Sequence, residues 1–117
     1  MNDIQVSENF KLREFQCRHC NQVILHKELL DKLQALRSGL GVPVIVRSGY
    51  RCPTHNRAVG GAANSYHLRG MAADIVAQGK SVAEVTAEAR KRFKGGGIGI
   101  YSDHVHVDIG REREWQG

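Results

Sequence analysis

Long hydrophobic runs are missing from this chain. No stretch of its 117 residues approaches the ~18–20 consecutive apolar residues that span a bilayer, so no membrane insertion is expected. The start, MNDIQVSENFKLREF, lacks a basic segment followed by an apolar one. No secretion signal is read there, and the expectation is synthesis in the cytoplasm. Repeats, low-complexity tracts and linkers are also absent, which leaves a single domain over residues 1–117 with one modest core. Acidic residues are the scarcer charge, 12 against 17 Lys and Arg, for a net charge of +5. That balance favours anionic surroundings. The cations are scattered, however, and the one dense stretch, Arg90 to Lys94, closes a predicted helix, where it complements the helix dipole. Nucleic acid is therefore not expected as a partner.

What is present reads as an ordinary globular domain, 41% apolar and 25% charged. HKELLDKLQALRSGLG puts Leu29, Leu30, Leu33, Leu36 and Leu40 on one helical stripe, with Gly39 or Gly41 as the stop. SVAEVTAEARKRFKGGG opens on a capping box, Ser81 with Glu84, and closes at Gly95. A short helical turn follows Pro53. Strands are predicted over Pro43 to Ser48, Met71 to Ala77, Gly97 to Tyr101 and His104 to Ile109. The order is not a regular βαβ alternation. The fold class is α+β, a small, mostly antiparallel sheet with helices packed on it.

The chemistry gathers around histidine. In SYHLRGMAADI, His67 and Asp74 stand seven positions apart, and near the C-terminus DHVHVD carries two more histidines. Side chains alternate along a strand, so His104, His106 and Asp108 share one face. Catalytic zinc takes three protein ligands from His and carboxylate and keeps an open position. His67, Asp74 and His106 supply that set. His2Asp suits zinc, and such a donor set also accepts manganese or iron.

SGYRCPTHNRAVGGAANSYHLRGMAADI, with GGIGIYSDHVHVDIG, resembles the zinc D-Ala-D-Ala carboxypeptidase family of metallopeptidases. That family includes D-alanyl-D-alanine dipeptidases and phage L-alanyl-D-glutamate endopeptidases, and shares its fold with the Hedgehog signalling domain. The resemblance runs from about Phe10 to Gly110 and rests on Ser65, His67, Asp74, Asp103 and His106. It implies Zn2+ on the three ligands, a Hedgehog/DD-peptidase-like fold and a peptidoglycan peptide substrate.

The resemblance further implies that Asp103, three places before His106, is the general base. Strict strand alternation disagrees, because it puts Asp103 on the face opposite His106 and leaves His104 as the alternative base. A carboxylate can take a proton from water and pass it to the leaving amine, which favours Asp103, with His104 near the metal. Arg51 matches a family arginine that holds the scissile carbonyl oxygen. Ser65 matches a family serine that binds substrate; as residues alone, they read as a surface ion pair and a turn cap.

The cysteines form a separate pattern. CRHC and CPTH have the spacing of a second, structural zinc site: Cys17, Cys20, Cys52 and His55. A disulfide from Cys52 to one N-terminal cysteine and three free thiols are the competing states. Either link would tie the N-terminal arm to the loop bearing Arg51.

The expected function is a zinc-dependent peptidase that removes terminal D-Ala from peptidoglycan stem peptides. Cleavage between L-Ala and D-Glu, as in a phage lysin released at lysis, is the alternative. A non-catalytic zinc-bearing binding module is a third reading. No heptad or exposed apolar stripe sets an oligomeric state.

Overall fold

The computed structural model describes residues 2–117. Helix α1 (Lys27–Leu40) buries Leu29, Leu30, Leu33 and Leu36, and Leu40 packs at the edge of the same cluster. The helix stops at Gly41, which adopts φ 71°, a left-handed conformation that glycine takes without strain. Helix α3 (Val82–Arg92) begins with the expected reciprocal cap. The Ser81 amide donates to Glu84 Oε1 at 2.9 Å, and the Glu84 amide donates to Ser81 Oγ at 3.1 Å. It ends before Gly95, at a Phe93 whose ring is fully buried. Between them, α2 (Pro53–Ala58) opens on proline, whose missing N–H costs nothing in a first turn.

Five strands make the main sheet: β3 (Val44–Ser48), β4 (Ala72–Ala77), β5 (Gly97–Ile100), β6 (Val105–Asp108) and β7 (Arg113–Gln116), in the order β3-β4-β6-β5-β7. A small N-terminal ribbon pairs β1 (Gln5–Ser7) with β2 (Phe10–Lys11). Four of the five sheet strands fall where the sequence predicts them. The fifth, β7, does not, and it runs parallel to β5. The sheet is therefore mixed, which corrects the expectation of a mostly antiparallel one. The reason is local: REREWQG alternates charged residues without an apolar face, so it carries no strand signal of its own.

Alternation sorts the two sheet faces. Ala73, Ile75 and Ala77 of β4, Val105 and Val107 of β6, and Ile98 of β5 enter one core with Leu33, Leu36, Val85, Ala89 and Phe93. Each large buried side chain there contributes roughly 1.5–3 kcal/mol. Asp74, His106 and Asp108 occupy the alternate positions and so face away from the helices. Hydrophobic packing on one side thereby aims the chemistry to the other.

Candidate metal centre

Strand register places the first pair of ligands. Asp74 on β4 lies directly across from His106 on β6, on the same face. His67 arrives from outside the sheet, on a 3-10 turn over Tyr66–Arg69. Ser65 caps this turn, its Oγ accepting from the His67 amide at 3.2 Å. Gly70 ends it at φ 70°, where a Cβ would collide with the Ile24 carbonyl, so only glycine lets the chain turn here into β4. Ala72 and Ala73 follow, both fully buried.

The three ligand atoms converge. His67 Nε2 is 3.2 Å and His106 Nδ1 3.0 Å from the same oxygen, Asp74 Oδ1. All three atoms lie within 4.8 Å of one another, and both histidines are buried. The remaining ring nitrogens are committed elsewhere. His67 Nδ1 donates to the Gly49 carbonyl at 2.7 Å, and His106 Nε2 donates to Asp108 Oδ2 at 2.7 Å. Acceptors at those positions hold one ring proton on each histidine, so His67 Nε2 and His106 Nδ1 are the nitrogens that offer lone pairs to a metal or, when the rings are protonated, N–H groups to Asp74. Two imidazoles and a carboxylate, each oriented from behind, fit a zinc ion.

Electrostatics supports this arrangement. Burial alone would raise the Asp74 carboxyl, but hydrogen bonds from His106 and His67 outweigh it and hold the group well below the usual carboxylate range. Burial likewise opposes charge on His106, yet Asp108 and Asp74 raise its pKa. Asp108 is fully buried and is itself held ionised: hydrogen bonds from His106 and Arg113 overcome its burial. Arg113 grips both its oxygens, at 3.0 and 2.8 Å.

Other predicted residues surround the triad. Arg51 donates to the second Asp74 oxygen at 3.0 Å and is braced by Ser48 Oγ at 3.0 Å and Asn56 Oδ1 at 3.3 Å. It thus steers the carboxylate as well as facing the cleft. The cleft has a volume of about 640 Å³, and its walls include Arg51, Ser65, His67, Asp74, His104, His106, Arg111 and Trp115. His104 precedes β6, and its ring stacks on Tyr101 at 4.5 Å and 7°. Asp103 is exposed and does not line the cleft. Its Oδ1 is 2.7 Å from His104 Nδ1, and Arg47 lies 3.4 Å from its other oxygen. The hydrogen bond from His104 lowers its pKa.

Sequence reasoning missed three parts of this wall. Asp108 was placed on the right face but given no role. Arg113 and Trp115 come from β7, whose polar sequence hid it. Trp115 packs on His106 with ring centroids 5.2 Å apart, and Arg113 covers Trp115 at 4.8 Å. One signal was there to find: GIGI. Its isoleucines face the core side, while a Cβ at Gly97 would meet the Asp108 carboxylate and one at Gly99 the Trp115 ring, each at 2.6 Å. The glycine face of β5 is the space these groups occupy.

The second cluster is also present, in part. Cys17, Cys20 and Cys52 bring their sulfurs within 4.8 Å of one another. His55 does not join them by its ring, and only its backbone N–H reaches Cys52 Sγ, at 3.4 Å. It sits on the first turn of α2, where Pro53 starts the helix. The expected four-residue set is corrected there.

Known proteins resemble this chain in sequence and in fold. The family model described as Peptidase M15 matches residues 8–108. The chain is 39% identical over 89 residues to the zinc D-Ala-D-Ala carboxypeptidase of Streptomyces albus G, covering 72% of this chain and 35% of that protein. It is 38% identical over 96 residues to the peptidoglycan L,D-endopeptidase MepK of Escherichia coli K12, covering 74% and 52%. The fold resembles the crystal structure of the Serratia marcescens L-Ala D-Glu endopeptidase ChiX, with TM-score 0.56 and 20% identity over 74% of this chain and 80% of that one. The matched part spans about a third of the first curated relative and half of the second.

Proposed function

Since the chain belongs to the Peptidase M15 family, we propose that it is a zinc-dependent peptidase acting on peptidoglycan stem peptides in the bacterial cell wall. The observation that carries the reading is the convergence of His67 Nε2, Asp74 Oδ1 and His106 Nδ1 at the floor of an open cleft. Zinc held there supplies a Lewis acid that polarises a carbonyl and makes water acidic enough to react near neutral pH.

The remaining work falls to the chain's own groups. Asp103, the base that the family resemblance implies, takes the proton from the attacking water and returns it to the leaving amine, working from outside the cleft wall through its partner His104. His104 accompanies it, since its ring lines the cleft and its Nδ1 holds Asp103. Arg51, locked by Ser48, Asn56 and Asp74, is a fixed positive charge for the scissile carbonyl oxygen as negative charge develops. Ser65 holds the substrate backbone at the cleft wall.

The bond broken is the one before a terminal D-Ala. Arg111 lines the cleft, and a free terminal carboxylate is the group a guanidinium receives. Cleavage between L-Ala and D-Glu is the second reading, supported as far as the E. coli relative is named an L,D-endopeptidase, a class that an L-Ala–D-Glu cut falls in. A non-catalytic zinc module gives no account of Arg51 locked onto Asp74.

The test is a digest of stem peptides by zinc-loaded protein, read by mass spectrometry, with Asp103→Ala and His104→Ala alongside. Release of one terminal Ala supports the carboxypeptidase. Splitting after the first Ala makes it the endopeptidase. Asp103→Ala should lose roughly 10²–10⁴ in rate. Undiminished cleavage by that variant with loss in His104→Ala moves the base to His104, and no cleavage with zinc bound leaves the binding module.

A further inference from the structure

The sulfur cluster lies apart from the peptidase triad and plays no part in the chemistry above. Its first two members sit in a tight loop. The Asn21 amide donates to the Cys17 carbonyl at 2.9 Å, and the Cys17 amide donates to the Gln22 carbonyl at 2.7 Å. Asn21 takes φ 62°, a left-handed position asparagine tolerates, and this turn folds Cys20 back toward Cys17. Cys52 approaches from the loop after β3, thirty-five residues on.

Amide groups aim at the sulfurs. The N–H groups of His19 and Cys52 both donate to Cys17 Sγ, at 3.4 Å each, and the His55 N–H donates to Cys52 Sγ at 3.4 Å. Such donors stabilise thiolates. Burial alone would raise the Cys17 thiol, but its amide partners outweigh it and bring the group to about 7. A further side-chain donor beside the three sulfurs is His19: its Nδ1 is 3.6 Å from Cys52 Sγ, although it does not lie within 4.8 Å of all three. A tetrahedral zinc with Zn–S of ~2.3 Å and Zn–N of ~2.0 Å separates such a sulfur and nitrogen by about 3.5 Å.

We propose that Cys17, His19, Cys20 and Cys52 form a second, structural zinc site of the Cys3His type, with His19 in place of the His55 that spacing alone selects. Binding releases to solvent the protons that the three thiols still hold, in exchange for the dication, and no oxidant takes part. A disulfide uses two of the three sulfurs and leaves the third, with His19, unexplained. The site joins the N-terminal arm to Cys52, the residue next to Arg51. It holds the wall of the cleft in a domain whose core is small.

Cobalt titration of the full reduced chain tests this. The peptidase triad contains no sulfur, so thiolate-to-cobalt charge-transfer absorption reports on this site alone, whatever the fate of the proposed activity. The expected result is two Co2+ per chain, one of them with the thiolate bands. Asp74→Ala should remove the other equivalent and leave those bands. His19 is exposed, so His19→Ala leaves the core intact. It should weaken the banded equivalent at least tenfold, whereas His55→Ala leaves it unchanged. Cys20→Ser should abolish the tetrahedral thiolate spectrum. Absence of thiolate bands in the reduced chain overturns the site. So does a purified chain lighter by two hydrogens that binds one metal. Bands lost in His55→Ala and kept in His19→Ala overturn the assignment of His19.

Discussion

Asp108 shows how much one residue behind a ligand can decide. It is two positions from His106, shares its face, and accepts from His106 Nε2 while Arg113 closes over it. Asp108→Asn keeps the shape but removes the charge that fixes the ring's tautomer. Groups in this position typically matter by ~10–100-fold in metal affinity. The expectation is a loss of that size, read by competition with a chelator of known affinity, with the fold intact by circular dichroism. Asp103 makes a second prediction at this scale. The hydrogen bond from His104 depresses its pKa, so the proposed base stays ionised into mildly acidic solution. His104→Ala removes that support, and the acidic limb of kcat/KM should move to higher pH. Had the limb stayed put, Asp103 would not be the group it reports. The three residues that converge, His67, Asp74 and His106, were legible in SYHLRGMAAD and DHVH, because ligand chemistry restricts residue type. Asp108's role was not, because an Asp two places on from a His has many ordinary explanations.

Elements carry the next set of consequences. Helix α3 starts where Ser81 and Glu84 cap each other, and Ser81→Ala should cost about 1 kcal/mol in urea unfolding. Glu84 adds a pH dependence with a defined sign. Hydrogen bonds from Ser81, backbone and side chain, lower its folded pKa. A depressed folded pKa gives stability that is present above the unfolded value and lost as pH falls through the folded one. The gap in unfolding midpoint between the parent chain and Glu84→Gln should therefore be open at neutral pH and close below about pH 4. A gap that persists in acid would show that Glu84 acts by something other than its charge. Both long helices and four strands were readable from period and caps. Strand β7 was not, because its pairing with β5 supplies the order that its own side chains do not.

At the scale of the molecule, the sheet separates stability from chemistry. The leucines of α1 pack on one face, and the ligands occupy the other. Leu33 is fully buried, and Leu33→Ala should destabilise by roughly 2–5 kcal/mol. Well below its unfolding temperature, the variant should still bind metal at the triad like the parent chain. Calorimetric unfolding together with a metal titration checks both halves, and a large loss of affinity in the folded variant would contradict the separation. No helix among the described residues is long and apolar enough to cross a membrane, as the composition indicates.

By itself, the amino-acid sequence determined what depends on local period and ligand chemistry. The helices, the strands with apolar alternation, the three residues proposed as metal ligands and the cysteines as a group belong there. Each is written in neighbouring residues or in residue types that few other roles require. Only the tertiary structure decided which distant groups meet. It put Arg113 and Trp115 on an edge strand beside the triad, turned Arg51 onto Asp74, set His104 between Asp103 and the cleft, and brought the ring of His19 rather than that of His55 to Cys52 Sγ. Those choices follow from strand register and from the direction in which loops return. Spacing along the chain carries neither.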